Sequence, residues 1–190
     1  MQFKNDKRSL KTRKAIKFAF LKLLRTRNIS EINITMIAKN ADINRNSFYT
    51  HYKNVSNILD DINNDIYMYI EEILAKYSYS QITVDPYPII SEFSKVVVSN
   101  KFITQYLLFS KSSTELARNL KDNICDRFYA AYLKETTNAN PYIRYVMAFI
   151  ISSVFEMYYT WIRNGNDLSL DDLSKKMSKL ILDGLSSITW

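Results

Sequence analysis

Apolar residues recur at three- and four-residue spacing along most of the chain, with polar and charged residues between them. This spacing places apolar side chains on one face of a helix, so the chain is predicted to be all-α with about nine helices. Two short helices are expected inside residues 33–53. The other predicted helices span 9–26, 56–77, 86–99, 102–109, 113–137, 141–163 and 169–187. Residues 1–8 and 78–85 lack the repeat and are predicted to be a mobile tail and a loop.

The pattern within 33–53 predicts two helices joined by a tight turn. Ile37 and Ala41 are four residues apart and fall on one face of the first helix. Asn33 and Asn44 precede the two helices, at the position where an Asn side chain accepts hydrogen bonds from free backbone amides. Two capped helices this close together are typical of a helix-turn-helix unit.

The second of these helices is predicted to carry its apolar and polar residues on opposite faces. Phe48 and Tyr52 are four residues apart and face inward. The outer face carries Arg45, Asn46, Ser47, Tyr49, Thr50 and His51. Arg and Asn side chains can pair with base edges in the major groove, and hydroxyl, phenol and imidazole groups can donate to phosphates. The second helix is therefore predicted to bind double-stranded DNA.

These residues resemble the helix-turn-helix of the TetR family of bacterial transcriptional regulators. The resemblance rests on Ile37-Ala38-Lys39-Asn40-Ala41, Asp42-Ile43-Asn44 and Phe48-Tyr49-Thr50-His51-Tyr52-Lys53. It implies DNA-facing roles for Thr35, Arg45, Asn46, Ser47, Tyr49, Thr50 and His51, with Lys53 beside the DNA backbone. Asp42 stands where the family usually has Gly, and Asp enters left-handed conformations more readily than most residues. Val55 stands where the family commonly has Lys, so one phosphate contact is missing.

The resemblance also implies a division of the chain. Residues 1–55 would form the DNA-binding domain, and residues 56–190 a helical regulatory and dimerisation domain. The last two helices carry more apolar residues than one buried face requires, and in TetR-like regulators these helices usually form a homodimer. A homodimer on a pseudo-palindromic operator is therefore expected, although a monomer could cover the same surface with its own helices.

Composition narrows the class of protein further. The chain has 190 residues but two glycines, which disfavours sheet sandwiches and nucleotide-binding folds built on glycine-rich turns. With one histidine and one cysteine, no metal site, cofactor, disulfide or catalytic residue is predicted, and the chain is not expected to be an enzyme. Neighbours on a helix diverge by about 100°, so adjacent acidic pairs are interpreted as surface charges. These pairs are Asp60-Asp61, Glu71-Glu72 and Asp171-Asp172.

Positive charge is concentrated in the N-terminal third. Residues 1–53 hold 13 Lys or Arg and three acidic residues, whereas residues 54–190 hold 13 Lys or Arg and 16 acidic residues. A basic segment attracts polyanions, and phosphate contacts dominate nucleic-acid affinity. A solvated basic helix or one lying on an acidic lipid surface would carry the same charge, and the adjoining helix pair is what favours DNA.

The remainder of the chain is rich in aromatic residues, with 14 tyrosines and 10 phenylalanines in the whole sequence. An aromatic helical module can enclose a small hydrophobic or aromatic effector, although ordinary core packing explains the same residues. The effector-binding candidates are Tyr67, Tyr106, Phe128, Met147, Phe155 and Glu156. Glu156 could instead pair with a basic residue such as Arg144 or Arg163.

The sequence thus predicts a cytoplasmic, DNA-binding transcriptional regulator, most often a repressor, tuned by a small effector. Its longest apolar run, 146–151, is too short for a membrane span, and the N-terminus lacks the pattern of a signal peptide. Two alternatives stay open. In one, the C-terminal domain docks a protein co-activator instead of a small molecule. In the other, the chain is a helical carrier or enzyme whose basic segment is incidental.

Overall fold

The computed structural model describes residues 2–109 and 114–186, with side chains described over 7–105 and 118–185. Within these ranges it contains ten α-helices, one short 3-10 turn and no strand. The helices are α1 Gln2–Leu24, α2 Ile34–Asn40, α3 Arg45–Tyr49, α4 Ser56–Leu74, α5 Tyr79–Val84, α6 Tyr87–Ser99, α7 Lys101–Phe109, α8 Thr114–Glu135, α9 Tyr142–Arg163 and α10 Leu170–Ser186. The predicted all-α architecture is confirmed.

The head, comprising α1, α2 and α3 within residues 2–53, closes around fully buried side chains. Ile16, Phe20, Ile37 and Phe48 are each 0% exposed. They come from three different helices, and the apolar spacing within each helix brings them to the shared centre. Burying one such side chain contributes about 1.5–3 kcal/mol, so this small core is what holds the three helices together.

Helix α4 leads from the head into the body, which comprises the described residues from 54 to 186. Its 19 residues give a length of roughly 29 Å at 1.5 Å per residue. A buried stripe of Ile62, Ile66, Ile70 and Ile73 runs along it. The buried residues of head and body belong to one continuous apolar cluster.

The helices of the body pack in pairs, and α7 lies at the join with the head. Helix α10 packs against α6, α8 against α9, and α4 against α8. Helix α7 contacts α1 of the head as well as α6 and α9. At this contact the ring centroids of Phe18 on α1 and Phe102 on α7 are 4.2 Å apart. The body therefore contacts the head through α7 in addition to α4.

The prediction of a loop over 78–85 is wrong, because Tyr79–Val84 form helix α5. Its start is a capping box of Ser78 and Gln81. Ser78 Oγ accepts from the Gln81 amide at 3.1 Å, and Gln81 Oε1 accepts from the Ser78 amide at 2.9 Å. Six residues are too few to show a sustained apolar repeat, so the hydrophobic pattern misses this helix.

Helix α1 is also longer than predicted. The sequence pattern predicts a mobile tail over 1–8, but the helix begins at Gln2. Once a helix exists, each added residue gains one backbone hydrogen bond, so the helix can extend through a polar segment without an apolar stripe.

Helix α9 is long and apolar enough to cross a membrane, judged by length and composition alone. The short apolar run at 146–151 did not indicate this, because the helix interleaves its apolar residues with small polar ones. Of its most apolar stretch, 22% is buried, and the helix packs along α7 and α8. Core helices of soluble proteins pass the same test, so a single helix of this kind is weak evidence for a membrane span.

Candidate functional site

Two asparagine caps and a left-handed turn residue shape the helix-turn-helix segment as predicted. Asn33 Oδ1 accepts from the Met36 amide at 3.0 Å, and Asn44 Oδ1 accepts from the Ser47 amide at 2.7 Å. Asp42 has a φ of 54°, the left-handed conformation expected at the position of the turn. The two caps fix where α2 and α3 begin, and the left-handed turn at Asp42 follows the end of α2.

Helix α3 buries one side and exposes the other. Phe48 is 0% exposed, and Tyr52 just beyond the helix is 5% exposed. Of the predicted DNA-facing residues, those that are exposed are Thr35, Arg45, Asn46, Tyr49, Thr50 and Lys53, and those that are half-buried are Ser47 and His51. Arg45 Nη2 lies 3.5 Å from the hydroxyl of Tyr49, one helical turn away. The exposed side thus offers guanidinium, carboxamide, hydroxyl and ammonium donors.

The His51 ring lies at the edge of this surface. Burial, and then the positive charge of Arg13, lower the pKa of His51 below its ordinary value. Since an ordinary His has a pKa of about 6.5, the ring is neutral at pH 7. A neutral imidazole offers one N–H donor and no charge to a phosphate.

A cluster of polar side chains, called here the hub, joins α1, the segment after α3, and α4 around Asp61. Asp61 is 8% exposed. Its carboxylate accepts from Arg13 Nε at 2.8 Å and from the Tyr52 hydroxyl at 2.5 Å, and it pairs with the Lys17 ammonium at 2.9 Å. Lys17, itself 5% exposed, also pairs with Asp65 at 2.6 Å. The interpretation of Asp61 as a surface charge is therefore wrong.

The hub favours the ionised form of Asp61 and the protonated form of Tyr52. Burial alone would raise the pKa of Asp61, but hydrogen bonds from Arg13, Tyr52 and Lys17 outweigh it and hold the pKa below its ordinary value. Burial, and then the hydrogen bond to Asp61, raise the pKa of Tyr52. A protonated Tyr52 donating to an ionised Asp61 ties the end of the helix-turn-helix to α4. The sequence carried one signal of this arrangement, basic residues four apart on α1 and acidic residues four apart on α4.

A cavity, called here the inner chamber, lies in the body between α4, α5, α6, α8, α9 and α10. Its volume is about 140 Å³. Among the described residues that line it, Tyr79 and Thr83 are the ones with polar side-chain groups, and the remainder are apolar. Ile70 and Ile73 of α4 form part of its wall. An apolar cavity of about 150 Å³ can stay dry and bind benzene, so a chamber of this size suits a small apolar molecule.

The predicted effector residues divide between this chamber and other places. Those that line it are Phe128, Met147 and Phe155. Tyr67 lies outside the chamber, and the guanidinium carbon of Arg127 lies 4.5 Å from the centroid of its ring. Glu156 is exposed and is not part of the lining, and Arg144, considered as its partner, pairs with Asp126 instead. The side chain of Tyr106 lies outside the described residues.

The C-terminal part of the chain matches a known family. Residues 84–183 match the TetR-type family described as "Transcriptional regulator C-terminal region". This match covers more than half of the chain and lies wholly outside the helix-turn-helix segment. The chain belongs to the TetR family of transcriptional regulators. A search of curated protein sequences gives no match.

Solved structures similar to this TetR-family protein include other regulators. A TetR transcriptional regulator from Streptococcus agalactiae 2603V has 20% identity and a TM-score of 0.61, covering 95% of this chain and 99% of that chain. NalD, the secondary repressor of the MexAB-OprM multidrug efflux pump in Pseudomonas aeruginosa, has 15% identity and a TM-score of 0.65, covering 93% and 97%. FadR from Bacillus subtilis, in complex with stearoyl-CoA, has 17% identity and a TM-score of 0.56, covering 90% and 97%. At these identities the likeness concerns the fold.

Sequence reasoning missed what α5 and α6 contribute to the inner chamber of this TetR-family protein. Tyr79, Ile82 and Thr83 of α5 line the chamber, as do Ile89 and Phe93 of α6. The three residues of α5 have the spacing of a single helical face, which was the only indication in the sequence. A single turn with this spacing does not distinguish a helix from a loop.

Helix α9 of the TetR-family protein presents apolar side chains to solvent. Tyr142, Tyr145 and Phe149, spaced three and four residues apart, are 52%, 74% and 73% exposed. Leu180 on α10 is 62% exposed. Exposed apolar side chains repeated along one helix are typical of a surface that another protein surface covers. Gly165, with a φ of 79°, ends α9 in the predicted left-handed conformation.

Proposed function

We propose that this TetR-family protein binds double-stranded operator DNA through α3 and regulates transcription in the cytoplasm, most often as a repressor. The observation that carries the proposal is the division of α3 into two sides. Phe48 anchors one side in the head core, and Arg45 and Asn46 project from the other. Arg reads guanine and Asn reads adenine through paired hydrogen bonds in the major groove. Thr35, Ser47, Tyr49, Thr50, His51 and Lys53 contact sugar and phosphate around these readers.

The protein acts as a homodimer formed through α9 and α10. Its support is the exposed apolar surface of Tyr145, Phe149 and Leu180, which a two-fold axis would bury against its own copy. Two copies of α3 then meet two half-sites of a pseudo-palindromic operator. The half-sites lie one helical turn apart, about 34–36 Å, or a multiple of that distance.

A small hydrophobic or aromatic effector in the inner chamber tunes DNA binding. The support is the shared use of α4: Ile70 and Ile73 line the chamber, and Asp61 near the other end of the helix holds the head. An effector that binds one placement of α4 more tightly shifts the population towards it and changes the spacing of the two α3 helices. FadR from Bacillus subtilis, whose structure contains stearoyl-CoA, is an example of a similar fold with a bound ligand.

Fluorescence anisotropy on a duplex selected by the protein from a random pool tests the DNA-binding proposal. We expect binding that weakens as salt concentration rises. Arg45→Ala removes one base reader in each subunit and should weaken binding by about 1–3 kcal/mol per subunit. The matched control is Lys95→Ala, an exposed cation on α6 of the body, which should bind as the wild type does. Wild-type affinity in the Arg45→Ala protein would contradict the proposal.

The alternative of a docked co-activator lacks a separate surface in the described part of the body. Its strongly exposed aromatic side chains all lie on α9, where the dimer interface is proposed. Analytical ultracentrifugation separates the two uses of this face, because Phe149→Glu should convert a dimer to a monomer. If the wild-type protein sediments as a single chain, the face is free for a different partner.

A further inference from the structure

A second, more open space adjoins the inner chamber across α5. This outer chamber has a volume of about 580 Å³ and is formed by α5, the C-terminal end of α8, the turn after it, α9 and α10. Tyr79, Thr83, Ile143 and Leu185 line both spaces. A molecule seated in the inner chamber therefore meets the outer chamber beside the two hydroxyl groups of α5.

The polar groups that line the outer chamber are uncharged. They belong to Tyr79, Thr83, Tyr132, Asn138 and Asn140. The Tyr132 hydroxyl accepts from the Asn140 amide at 2.9 Å, which leaves its own proton to donate. Asn140 Oδ1 accepts from the amide at the start of α9 at 2.9 Å, which leaves the carboxamide N–H groups. Neutral donors and acceptors of this kind suit a hydroxyl or a carbonyl group.

No charged side chain lines either chamber among the residues whose side chains are described. Glu135 lies next to the outer chamber, where its carboxylate accepts from the amides of Tyr79 at 2.5 Å and Ser80 at 3.2 Å and from the Ser80 hydroxyl. Both carboxylate oxygens of Glu135 therefore accept hydrogen bonds from the start of α5 and hold it against α8. An anionic ligand would meet no cation among the described side chains that line the two chambers, and moving an unpaired charge out of water towards the apolar inner chamber is unfavourable.

We propose that the two chambers bind an uncharged amphiphile. Its apolar body of about six to eight carbons fills the inner chamber, since a cavity of about 150 Å³ holds benzene. Its hydroxyl group lies at Thr83 and Tyr79 and faces the outer chamber. Because the Thr83 hydroxyl donates to the Ser80 carbonyl at 2.9 Å, it accepts a hydrogen bond from the ligand. The inference rests on the proposed effector function and narrows it to neutral ligands. Ligands that carry a carboxylate or a phosphate group are expected to bind more weakly.

Isothermal titration calorimetry on the full-length protein, without DNA, tests this selectivity with three matched six-carbon probes. The probes are 1-hexanol, hexanoate and hexylamine at pH 7.5, which differ in charge but not in chain length. We expect 1-hexanol to bind at least tenfold more tightly than either ion. Binding of hexanoate as tight as that of 1-hexanol, or absence of 1-hexanol binding, would overturn the proposal.

Two variants locate the binding. Ile151→Phe fills part of the inner chamber and should weaken 1-hexanol binding at least tenfold, whereas Val98→Thr, on an exposed site of α6, should leave it unchanged. Thr83→Val removes a hydroxyl at the junction of the chambers without changing the shape, and should weaken 1-hexanol binding about fivefold and leave toluene binding unchanged. Unchanged 1-hexanol affinity in both Ile151→Phe and Thr83→Val would place the ligand elsewhere. Because no DNA is present in these titrations, a negative result would not contradict the operator proposal. Conversely, a negative result in the Arg45→Ala test would not contradict the ligand proposal.

Discussion

The hub of the head and the inner chamber of the body are both made by packed helices, but they are held in opposite ways. The hub fixes Asp61 with hydrogen bonds from Arg13 and Tyr52 and an ion pair from Lys17, and such contacts tolerate little change in distance or angle. The chamber is bounded by apolar side chains around unfilled volume, and apolar contact has no direction. The protein therefore combines a helix-turn-helix held in fixed geometry with an apolar chamber whose walls can adapt.

The largest expected difference between the two regions comes from truncating one aromatic residue in the head and one in the chamber wall. Phe48→Ala removes a side chain with 0% exposure from the head core, and we expect a loss of about 3–5 kcal/mol in the free energy of unfolding. Phe155→Ala removes a half-buried side chain from a wall with empty space on one side, and we expect a loss of about 1–2 kcal/mol. Urea denaturation measures both. Equal losses would mean that head and chamber wall are packed alike.

Removing the charge of Asp61 tests whether the hub depends on ion pairing. Asp61→Asn leaves a buried cation short of a partner, and we expect a loss of about 2–4 kcal/mol in the free energy of unfolding. The matched control is Asp126→Asn, because Asp126 pairs with Arg144 where both side chains are more than half exposed. Exposed pairs contribute about 0–1 kcal/mol. If urea denaturation shows the same small loss of unfolding free energy in both variants, the contacts of Asp61 stabilise the protein no more than an exposed ion pair does.

The hub also predicts an acid dependence specific to Asp61. The pKa of Asp61 in the folded protein lies below the value of about 3.9 expected when unfolded. Its stabilising contribution is therefore complete above about pH 4 and is lost as the pH falls through the folded-state pKa. Between pH 5 and pH 3 the wild-type protein should lose more unfolding free energy than Asp61→Asn. Parallel pH profiles would show that Asp61 is not held ionised by its partners.

The smallest predicted effect concerns the salt dependence of DNA binding. Lys53→Ala removes one phosphate contact per subunit and should reduce the slope of log affinity against log salt by about one per subunit. His51→Gln should leave the slope unchanged at pH 7.5, because the lowered pKa of His51 keeps its ring neutral. Lys95→Ala on the body is the control for a charge remote from DNA. A change in slope for Lys95→Ala would mean that the body also lies against the duplex.

The sequence predicted the local features of the head and missed its hub for a physical reason. The caps at Asn33 and Asn44 each depend on an amide three residues away, so residue type and spacing suffice to predict them. The bond between Arg13 and Asp61 joins residues 48 positions apart, and its existence depends on how α1 packs against α4. The matching four-residue spacing of basic residues on α1 and acidic residues on α4 is compatible with that packing but does not specify it.

The chamber was predicted less well for the same reason. The aromatic-rich composition of the helical body suggested an enclosed site, and of the candidates chosen on that ground Phe128, Met147 and Phe155 line the chamber. Aromatic content does not specify which side of a helix faces the cavity, and Tyr67 and Glu156 lie outside its lining.

Selection of bound sequences from a pool of random duplexes tests the central claim most directly, because it probes DNA binding, symmetry and half-site spacing together. The account predicts enrichment of an inverted repeat whose half-sites are separated by an integral number of helical turns, and loss of that enrichment with Arg45→Ala. Absence of any enriched sequence, or enrichment of a single asymmetric site, would contradict it.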